Sequence, residues 1–209
     1  MTQVSGTFRA RAVNTGLKVV SHSRPESEAR LVQRLAKGDR TAFESIWSRH
    51  QGPVYRYAWH LSGSESVAEE ATQETFLILI ENPKRFDAAR GALGAFLYGV
   101  ARNCTLARLR QDREDPWNDA LDPASESATD ESLLRSETIE RVREAVASLP
   151  IAYREAVVAC DLEELSYEDA AKLMGCAIGT VRSRLARGRQ LLAAKLKQRH
   201  EEASCGRNS

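Results

Sequence analysis

The sequence predicts an all-α protein, with two small helical domains joined by a flexible acidic linker. Apolar residues recur at helical spacing along two stretches, and no Asn-Gly or Asp-Gly turn separates alternating apolar runs. Seven acidic residues and no Lys or Arg lie between Glu114 and Leu133, a composition that cannot bury enough apolar surface to order itself. With 209 residues and 42% hydrophobic content, the chain is long enough for two small cores.

The predicted boundaries follow these changes in composition. The five segments are a disordered N-terminal extension (1–27), a first helical domain (28–113), the acidic linker (114–135), a second helical domain (136–200) and a C-terminal tail (201–209). The extension carries Gly, Ser, Thr, Arg and Asn without periodicity, which is typical of a mobile tail. A regulatory arm, or one that contacts DNA, is the alternative for that segment.

The first domain begins with an amphipathic helix that ends at Gly38. Asp39 is a suitable N-cap for a second helix. The buried residues expected in the first helix, the second helix and a third apolar segment are, in turn, Leu31, Val32 and Leu35; Phe43, Ile46 and Trp47; and Val54, Tyr55, Tyr57 and Ala58.

The next helix is predicted to begin at an N-cap, Ser66, and to end before Pro83. Its broad buried face is expected to contain Ala71, Thr75, Phe76, Leu79 and Ile80. A loop rich in small residues, 86–94, leads to a helix over 95–110. That helix is expected to be buried through Phe96, Leu97, Val100, Ala101 and Leu109.

The second domain contains a helix-turn-helix pattern after two shorter helices. The first helix is marked by Ile139, Val142, Val146 and Leu149, and the second opens at Pro150 and carries Tyr153, Ala156, Val157 and Cys160. Ser166 and Asp169 then form a capping box, Gly175 ends that helix, and Thr180 is expected to cap the next one. Such a second helix can enter the major groove of DNA.

Positive charge is concentrated on that second helix. The chain has a net charge of only +1, yet no Asp or Glu occurs between Cys176 and Arg199. The side chains that the helix exposes are Arg182, Ser183, Arg184, Arg187 and Arg189. Arg pairs bidentately with guanine, and Ser suits phosphates, so the pattern predicts DNA binding. A solvated basic helix in a helical hairpin is the alternative explanation.

Five motifs in order resemble the extracytoplasmic-function class of bacterial sigma factors. They are AKGDRTAFESIW, VAEEATQETFLILI, RFDAARGALGAFLYGVARN, LPIAYREAV and LSYEDAAKLMGCAIGTVRSRLARGRQLL. The resemblance covers residues 28–113 and 136–198. It implies binding to core RNA polymerase, recognition of the −35 and −10 promoter elements, and melting of the −10 duplex.

The resemblance also implies residue roles. The −35 contacts would be Tyr167, Glu168, Thr180, Arg182, Ser183, Arg184, Arg187 and Arg189. The −10 contacts would be Phe86, Asp87, Arg90, Phe96 and Asn103. The contacts with the polymerase clamp would be Glu70, Gln73, Glu74 and Phe76. Plain core packing is the alternative for Phe96, and a solvated helix face is the alternative for the three polar clamp residues.

Three departures from the family pattern bear on the promoter sequence rather than on the class of activity. Leu93-Gly94 replaces a frequent Phe-Arg in the −10 loop, and Ala186 stands where a larger side chain is common. Acidic residues interrupt the arginines that follow the −10 helix, which would weaken phosphate contacts.

The implied partners are core RNA polymerase through its β′ clamp and β flap, promoter DNA and an anti-sigma factor. The free chain is expected to be a cytoplasmic monomer without membrane insertion, and not an enzyme, with no catalytic residues, cofactor or metal. The four His show no catalytic spacing, and the four Cys form no CxxC pair. One alternative is a response regulator or other single helix-turn-helix repressor, which leaves residues 28–113 unexplained. The other is an interaction module such as an anti-sigma factor, which leaves the excess of Arg on the second helix unexplained.

Overall fold

The computed structural model describes residues 26–114 and 130–205, with the side chains of residues 26–111 and 139–198. Within these ranges the chain forms helices and no strand, so the all-helical prediction is confirmed there. The predicted N-terminal extension up to residue 25, residues 115–129 of the acidic linker and the last four residues lie outside the described part.

Eight α-helices make up the described chain. The first four, with a 3₁₀ turn after the third, are α1 (Glu28–Leu35), α2 (Arg40–Ser62), α3 (Glu65–Glu81), the turn Pro83–Arg85 and α4 (Leu93–Glu114). The others, with a π-helical turn after the second of them, are α5 (Asp130–Ala147), α6 (Ile151–Val157), the turn Val158–Leu162, α7 (Tyr167–Met174) and α8 (Ile178–Cys205). Helix α5 therefore begins inside the segment predicted as linker.

Helix α2 is one continuous helix of 23 residues, whereas the sequence pattern suggested two. Pro53 lies inside it and cannot donate the usual backbone hydrogen bond, which would normally favour a break. Ile46, Val54, Tyr57 and Leu61 nevertheless lie on one helical face and are all fully buried. Burial of that face offsets the cost of the proline, so tertiary packing overrides the local signal.

The N-terminal helices form a bundle in which α2, α3 and α4 pack together and α1 packs on α2. The expected core residues Leu31, Phe76 and Leu97 are buried in it, but Trp47 and Ile80 are exposed, which corrects the prediction for both. Their positions on the helices fit an apolar face, yet no described element covers that edge of the bundle. Cys104 is buried, as expected of a small apolar side chain, and burial raises the pKa of its thiol to about 11.

The C-terminal helices enclose a second apolar cluster. Leu149, Val157, Ala170, Val181 and Leu185 are buried in it, where α6, α7 and α8 meet. Ile139, which marked the helical pattern in the sequence, lies on α5 with half of its surface exposed. The second cluster forms the support of the helix-turn-helix.

The two groups of helices pack against each other. Helix α4 contacts α7, and α2 contacts α5 and α6. Val146 and Val158 belong to the same apolar cluster as the N-terminal core residues. The guanidinium of Arg154 donates a hydrogen bond of 2.9 Å to the carbonyl of Leu61, which links α6 to the end of α2.

Two of the predicted helix caps differ in outcome. Asp39 caps α2 as expected, since its carboxylate accepts from the backbone N–H of Thr41 at 2.9 Å. The cap of α3 is Ser64 rather than Ser66, because Ser64 Oγ accepts from the backbone N–H of Val67. Ser66 instead lies in the first turn of α3.

The Asp39 cap predicts a pH-dependent stability. Hydrogen bonds from Thr41 and Arg34 hold the pKa of Asp39 at about 2. Because the folded pKa is depressed, this stabilisation is present above the ordinary value of 3.8 and is lost as the pH falls through about 2. We expect Asp39→Asn to lower the urea midpoint at neutral pH, and the difference from wild type to shrink between pH 4 and 2. A difference that stays constant over this range would contradict the assignment.

Candidate nucleic-acid interface

Helices α7 and α8 form a helix-turn-helix whose first helix is capped as predicted. Ser166 Oγ accepts from the backbone N–H of Asp169 at 3.1 Å and donates to the Asp169 carboxylate at 2.8 Å. Gly175 ends α7 with φ of 63°, a left-handed conformation that costs glycine little. The predicted Thr180 cap is wrong, because α8 begins two residues earlier, at Ile178.

The predicted −35 residues lie on α7 and the first turns of α8. Arg182, Ser183 and Arg187 are exposed, and Arg184 and Thr180 are half-buried. From the neighbouring helix, Tyr167 and Glu168 are also exposed. The Arg182 guanidinium lies 5.6 Å from the centre of the Tyr167 ring, so the two helices present these side chains together. The arrangement offers cationic and aromatic groups on one surface.

Arg189 differs from the other arginines of this helix. Its guanidinium makes a bidentate ion pair with Asp161 of the π-helical turn, at 2.6 and 3.0 Å. Hydrogen bonding to Asp161 raises the pKa of Arg189, so the guanidinium stays positively charged and is neutralised by the Asp161 carboxylate. The structure therefore shows Arg189 in a contact between α8 and the turn before α7, and the DNA role of this residue stays a prediction.

Gly188 sets how closely α8 approaches α6. A Cβ atom at this position would lie 2.7 Å from Val157 Cγ2 and 3.1 Å from the Tyr153 carbonyl oxygen. We expect Gly188→Ala to destabilise the C-terminal helices by about 1–3 kcal/mol, since both neighbours belong to a packed interface. Thermal unfolding would measure this. Gly179→Ala is the matched control, because a Cβ there meets nothing within 4 Å; equal midpoints for the two variants would contradict the prediction.

The five predicted −10 residues line one cavity of about 610 Å³. They are Phe86, Asp87, Arg90, Phe96 and Asn103. The rings of Phe86 and Phe96 meet edge to face with centroids 5.8 Å apart, and Asn103 is exposed. Phe96 is half-buried, so it both packs and lines the cavity. The structure thus brings together residues that the sequence separates by up to 17 positions.

Asp87 also shapes the loop itself. Its carboxylate accepts from the backbone N–H of Ala89 at 2.9 Å, and its carbonyl accepts from the N–H of Arg90 at 3.0 Å. These bonds form a tight turn of the kind that Asp favours. The same side chain is therefore a structural part of the cavity wall.

The opposite wall of this cavity comes from the helix-turn-helix. Leu165, Asp169, Lys172 and Leu173, from α7 and the residues before it, line the cavity with the −10 residues. Nothing in the sequence pattern indicated this contact. The first helix of the predicted −35 unit therefore forms part of the wall of the predicted −10 site.

Two buried carboxylates hold this arrangement, and sequence reasoning identified neither. Arg102 of α4 donates to Glu155 of α6 at 2.6 Å. Glu163, whose side chain is only 1% exposed, accepts from Tyr98 at 3.1 Å and from Arg56 at 3.4 Å. These partners lie 53 to 107 positions apart, so no local signal could reveal them.

The environment of Glu163 perturbs two pKa values. Burial by itself raises the pKa of Glu163, but the polar contacts from His60, Arg56 and Tyr98 together bring it below its ordinary value. Burial and the Glu163 carboxylate raise the pKa of Tyr98 to about 12. The charged carboxylate and the neutral phenol are therefore the stable forms at neutral pH.

The predicted polymerase-contact residues divide into exposed and buried members. Gln73 and Glu70 are exposed and Glu74 is half-buried, and the two glutamates form ion pairs with Arg108 of α4. Phe76 is 1% exposed and packs against Trp47 with ring centroids 4.7 Å apart. Its expected burial is therefore confirmed, and the predicted contact of Phe76 with the polymerase clamp is corrected. The neighbouring exposed apolar residues are Trp47, Leu77 and Ile80.

In the described ranges, no helix is both long and apolar enough to cross a membrane. No group of three or more His, Cys, Asp or Glu side chains that could hold a metal ion occurs among these residues.

Comparisons with known proteins agree with the geometry. Residues 46–114 match the family model described as Sigma-70 region 2, and residues 139–192 match Sigma-70, region 4. The chain is 35% identical over 181 residues to the ECF RNA polymerase sigma factor SigE of Mycolicibacterium smegmatis, covering 81% of this chain and 68% of that protein. It is 34% identical over 175 residues to the ECF sigma factor SigM of Mycobacterium tuberculosis, covering 81% and 85%.

A solved structure with a similar fold is that of the sigma factor RpoE from Bartonella quintana, in complex with the anti-sigma factor NepR. It matches with a TM-score of 0.60 and 28% identity, over 74% of this chain and 96% of that chain. Both the N-terminal bundle and the helix-turn-helix unit thus have counterparts in sigma factors. The chain belongs to the extracytoplasmic-function (ECF) group of the sigma-70 family of RNA polymerase sigma factors.

Proposed function

We propose that this sigma factor recognises the −35 promoter element through the exposed face of α7 and α8. The observation that carries the proposal is the basic surface of α8, which has no Asp or Glu between Ile178 and Arg199 and presents Arg182, Ser183 and Arg187 on the second helix of a helix-turn-helix. An α-helix fits the major groove, where arginine can pair bidentately with guanine. Ser183 and Thr180 suit phosphates and base edges.

The −10 element is assigned to the cavity formed by Phe86, Asp87, Arg90, Phe96 and Asn103. Taking a base out of the duplex costs a few kcal/mol. A cavity of about 610 Å³ with two aromatic rings can recover part of that cost by packing against the base. Asn103 offers both a donor and an acceptor for a base edge.

Use of both sites at once requires the two groups of helices to separate. The elements are named for positions about 25 base pairs apart, which is roughly 85 Å along DNA at about 3.4 Å per base pair. Helix α7 lies against the −10 cavity, so it cannot reach a −35 element from there. Binding to polymerase is the step that would hold the two units apart, as residues 28–113 and 136–200.

Polymerase binding is assigned to the surface of α3. Glu70, Gln73 and Glu74 supply its polar part, with contact to the β′ clamp, and the exposed Leu77 and Ile80 supply an apolar part. The C-terminal unit would contact the β flap. Large exposed apolar side chains grouped with polar ones are typical of a protein interface.

Regulation by an anti-sigma factor is part of the proposal, because a similar sigma factor was solved in complex with one. Such a partner would cover the polymerase and DNA surfaces. The free chain would be a cytoplasmic monomer with no catalytic activity of its own.

Run-off transcription with core RNA polymerase on a randomised promoter pool tests the function. We expect the chain to select templates with two separated elements, and Asn103→Ala to lose selection at one −10 position while keeping the −35 preference. Stable dimers that bind palindromic DNA without polymerase would favour a helix-turn-helix repressor. A chain that neither binds core polymerase nor directs it to any start site would contradict the proposal.

A further inference from the structure

The carboxylate of Glu28, the first residue of α1, joins three helices next to the −10 cavity. Glu28 Oε2 accepts from the backbone N–H of Leu93, at the start of α4, at 3.1 Å. Glu28 Oε1 lies 2.9 Å from His50 Nε2 on α2. These partners are 65 and 22 positions away along the chain, so the contact depends on the folded bundle.

The contact with Leu93 supplies what the start of α4 lacks. The first backbone N–H groups of an α-helix have no acceptor inside the helix, and a negative charge near them is favourable. The side chain of Leu93 is fully buried, so this end of the helix is anchored in the core. Glu28 therefore provides both an acceptor and a matching charge at the point where the −10 loop becomes helix.

His50 of α2 also packs at the start of α4. Its side chain is mostly buried, and a Cβ atom placed at Gly94 would lie 3.6 Å from its Cε1 atom. The ring thus packs against the first turn of α4 while its Nε2 faces Glu28.

The position of α4 determines the geometry of the −10 cavity. Phe96 lies one turn after Leu93, and Asn103 lies two turns further, so both move with the start of the helix. The loop carrying Phe86, Asp87 and Arg90 ends at the same point. We propose that Glu28, supported by His50, is a positioning residue for −10 recognition, which fixes the start of α4 and thereby which base the cavity accepts. This inference rests on the proposed −10 function.

Base discrimination separates a positioning role from a general effect on stability. Promoters carrying each base at each −10 position would be opened by holoenzyme, with permanganate reactivity as the measure of melting. We expect Glu28→Ala to reduce opening of the preferred duplex about fivefold, the size of effect that loss of a charge at a helix start can produce, and to reduce the preference at the trapped base. Glu28→Gln keeps one acceptor for Leu93 and should be intermediate.

A premelted promoter sharpens the test. Because the cost of opening is removed, the overall rate with Glu28→Ala should recover, while the loss of base preference should persist. Glu44→Ala is the matched control, since Glu44 is an exposed α2 carboxylate in a surface ion pair with Arg40. This control should retain opening and base preference, since exposed pairs contribute little.

Three outcomes decide between the explanations. Unchanged base preference in Glu28→Ala, with or without slower opening, overturns the inference. A parallel loss of core polymerase affinity and of thermal stability, with base preference intact, also overturns it and indicates a structural role. Failure of the proposed −10 function would look different, because the wild-type chain itself would then open no promoter and show no base preference.

Discussion

Alanine at Arg187 is expected to lower the affinity of holoenzyme for its promoter about 10- to 100-fold, whereas alanine at Arg189 changes it far less. Arg187 is exposed on the face of α8 that would enter the major groove, and a good bidentate contact with a base is worth about 1–3 kcal/mol. Arg189 lies on the same helix but is matched by Asp161 in a bidentate ion pair. The two substitutions remove the same charge, so a difference in promoter affinity shows which arginine side chain is placed to contact DNA.

Fluorescence anisotropy with a labelled promoter duplex, at several salt concentrations, measures this difference. If Arg187 contacts a phosphate instead of a base, its substitution reduces the slope of log affinity against log salt by about 0.9, and the sequence preference is unchanged. Thermal unfolding must accompany the comparison, because Arg189→Ala leaves Asp161 without its partner. Equal losses of affinity for the two variants, at equal stability, would show that the ion pair does not withdraw Arg189 from DNA.

Some local features of the fold could be predicted from the sequence, although the caps predicted at Ser66 and Thr180 were wrong. Asp39 bonds to a residue two positions away, and Ser166 to one three positions away, so short sequence windows contain all the necessary information. Gly175 ends α7 because only its own backbone conformation matters there. The continuity of α2 through Pro53 could not be predicted, since it depends on burial against α3 and α4.

The −35 residues and the −10 residues could each be predicted from the sequence as a separate set. The packing of α7 against the −10 cavity could not. Family resemblance selected five residues that the structure places around one cavity. The second wall of that cavity, from α7, arises from packing between elements more than 60 positions apart. The same limit applies to Phe76 and Ile80, because helical periodicity identifies an apolar stripe but not which edge of it stays exposed.

The second large effect concerns the ion pair between Arg102 and Glu155, which joins α4 to α6. Removing one partner of a buried ion pair costs about 3–5 kcal/mol, because the remaining charge is left without a partner. Glu155 is almost completely buried, so Arg102→Ala would leave its carboxylate buried without a cationic partner. Separation of the C-terminal helices from α4 would return the carboxylate to water. We therefore expect Arg102→Ala to populate an extended form of the free chain.

Small-angle X-ray scattering on the free chain measures this as an increase in radius of gyration. Because α7 then leaves the −10 cavity, affinity for a single-stranded −10 oligonucleotide should rise in the same variant. Arg108→Ala is the matched control, since Arg108 pairs with the more exposed Glu70 and Glu74 within the N-terminal bundle. The double variant Arg102→Met with Glu155→Met removes both charges. Apolar replacements of a buried ion pair are often tolerated, so the radius of gyration of this variant should return to the wild-type value. An unchanged radius in Arg102→Ala, or an equally extended double variant, would show that this ion pair does not hold the two groups of helices together.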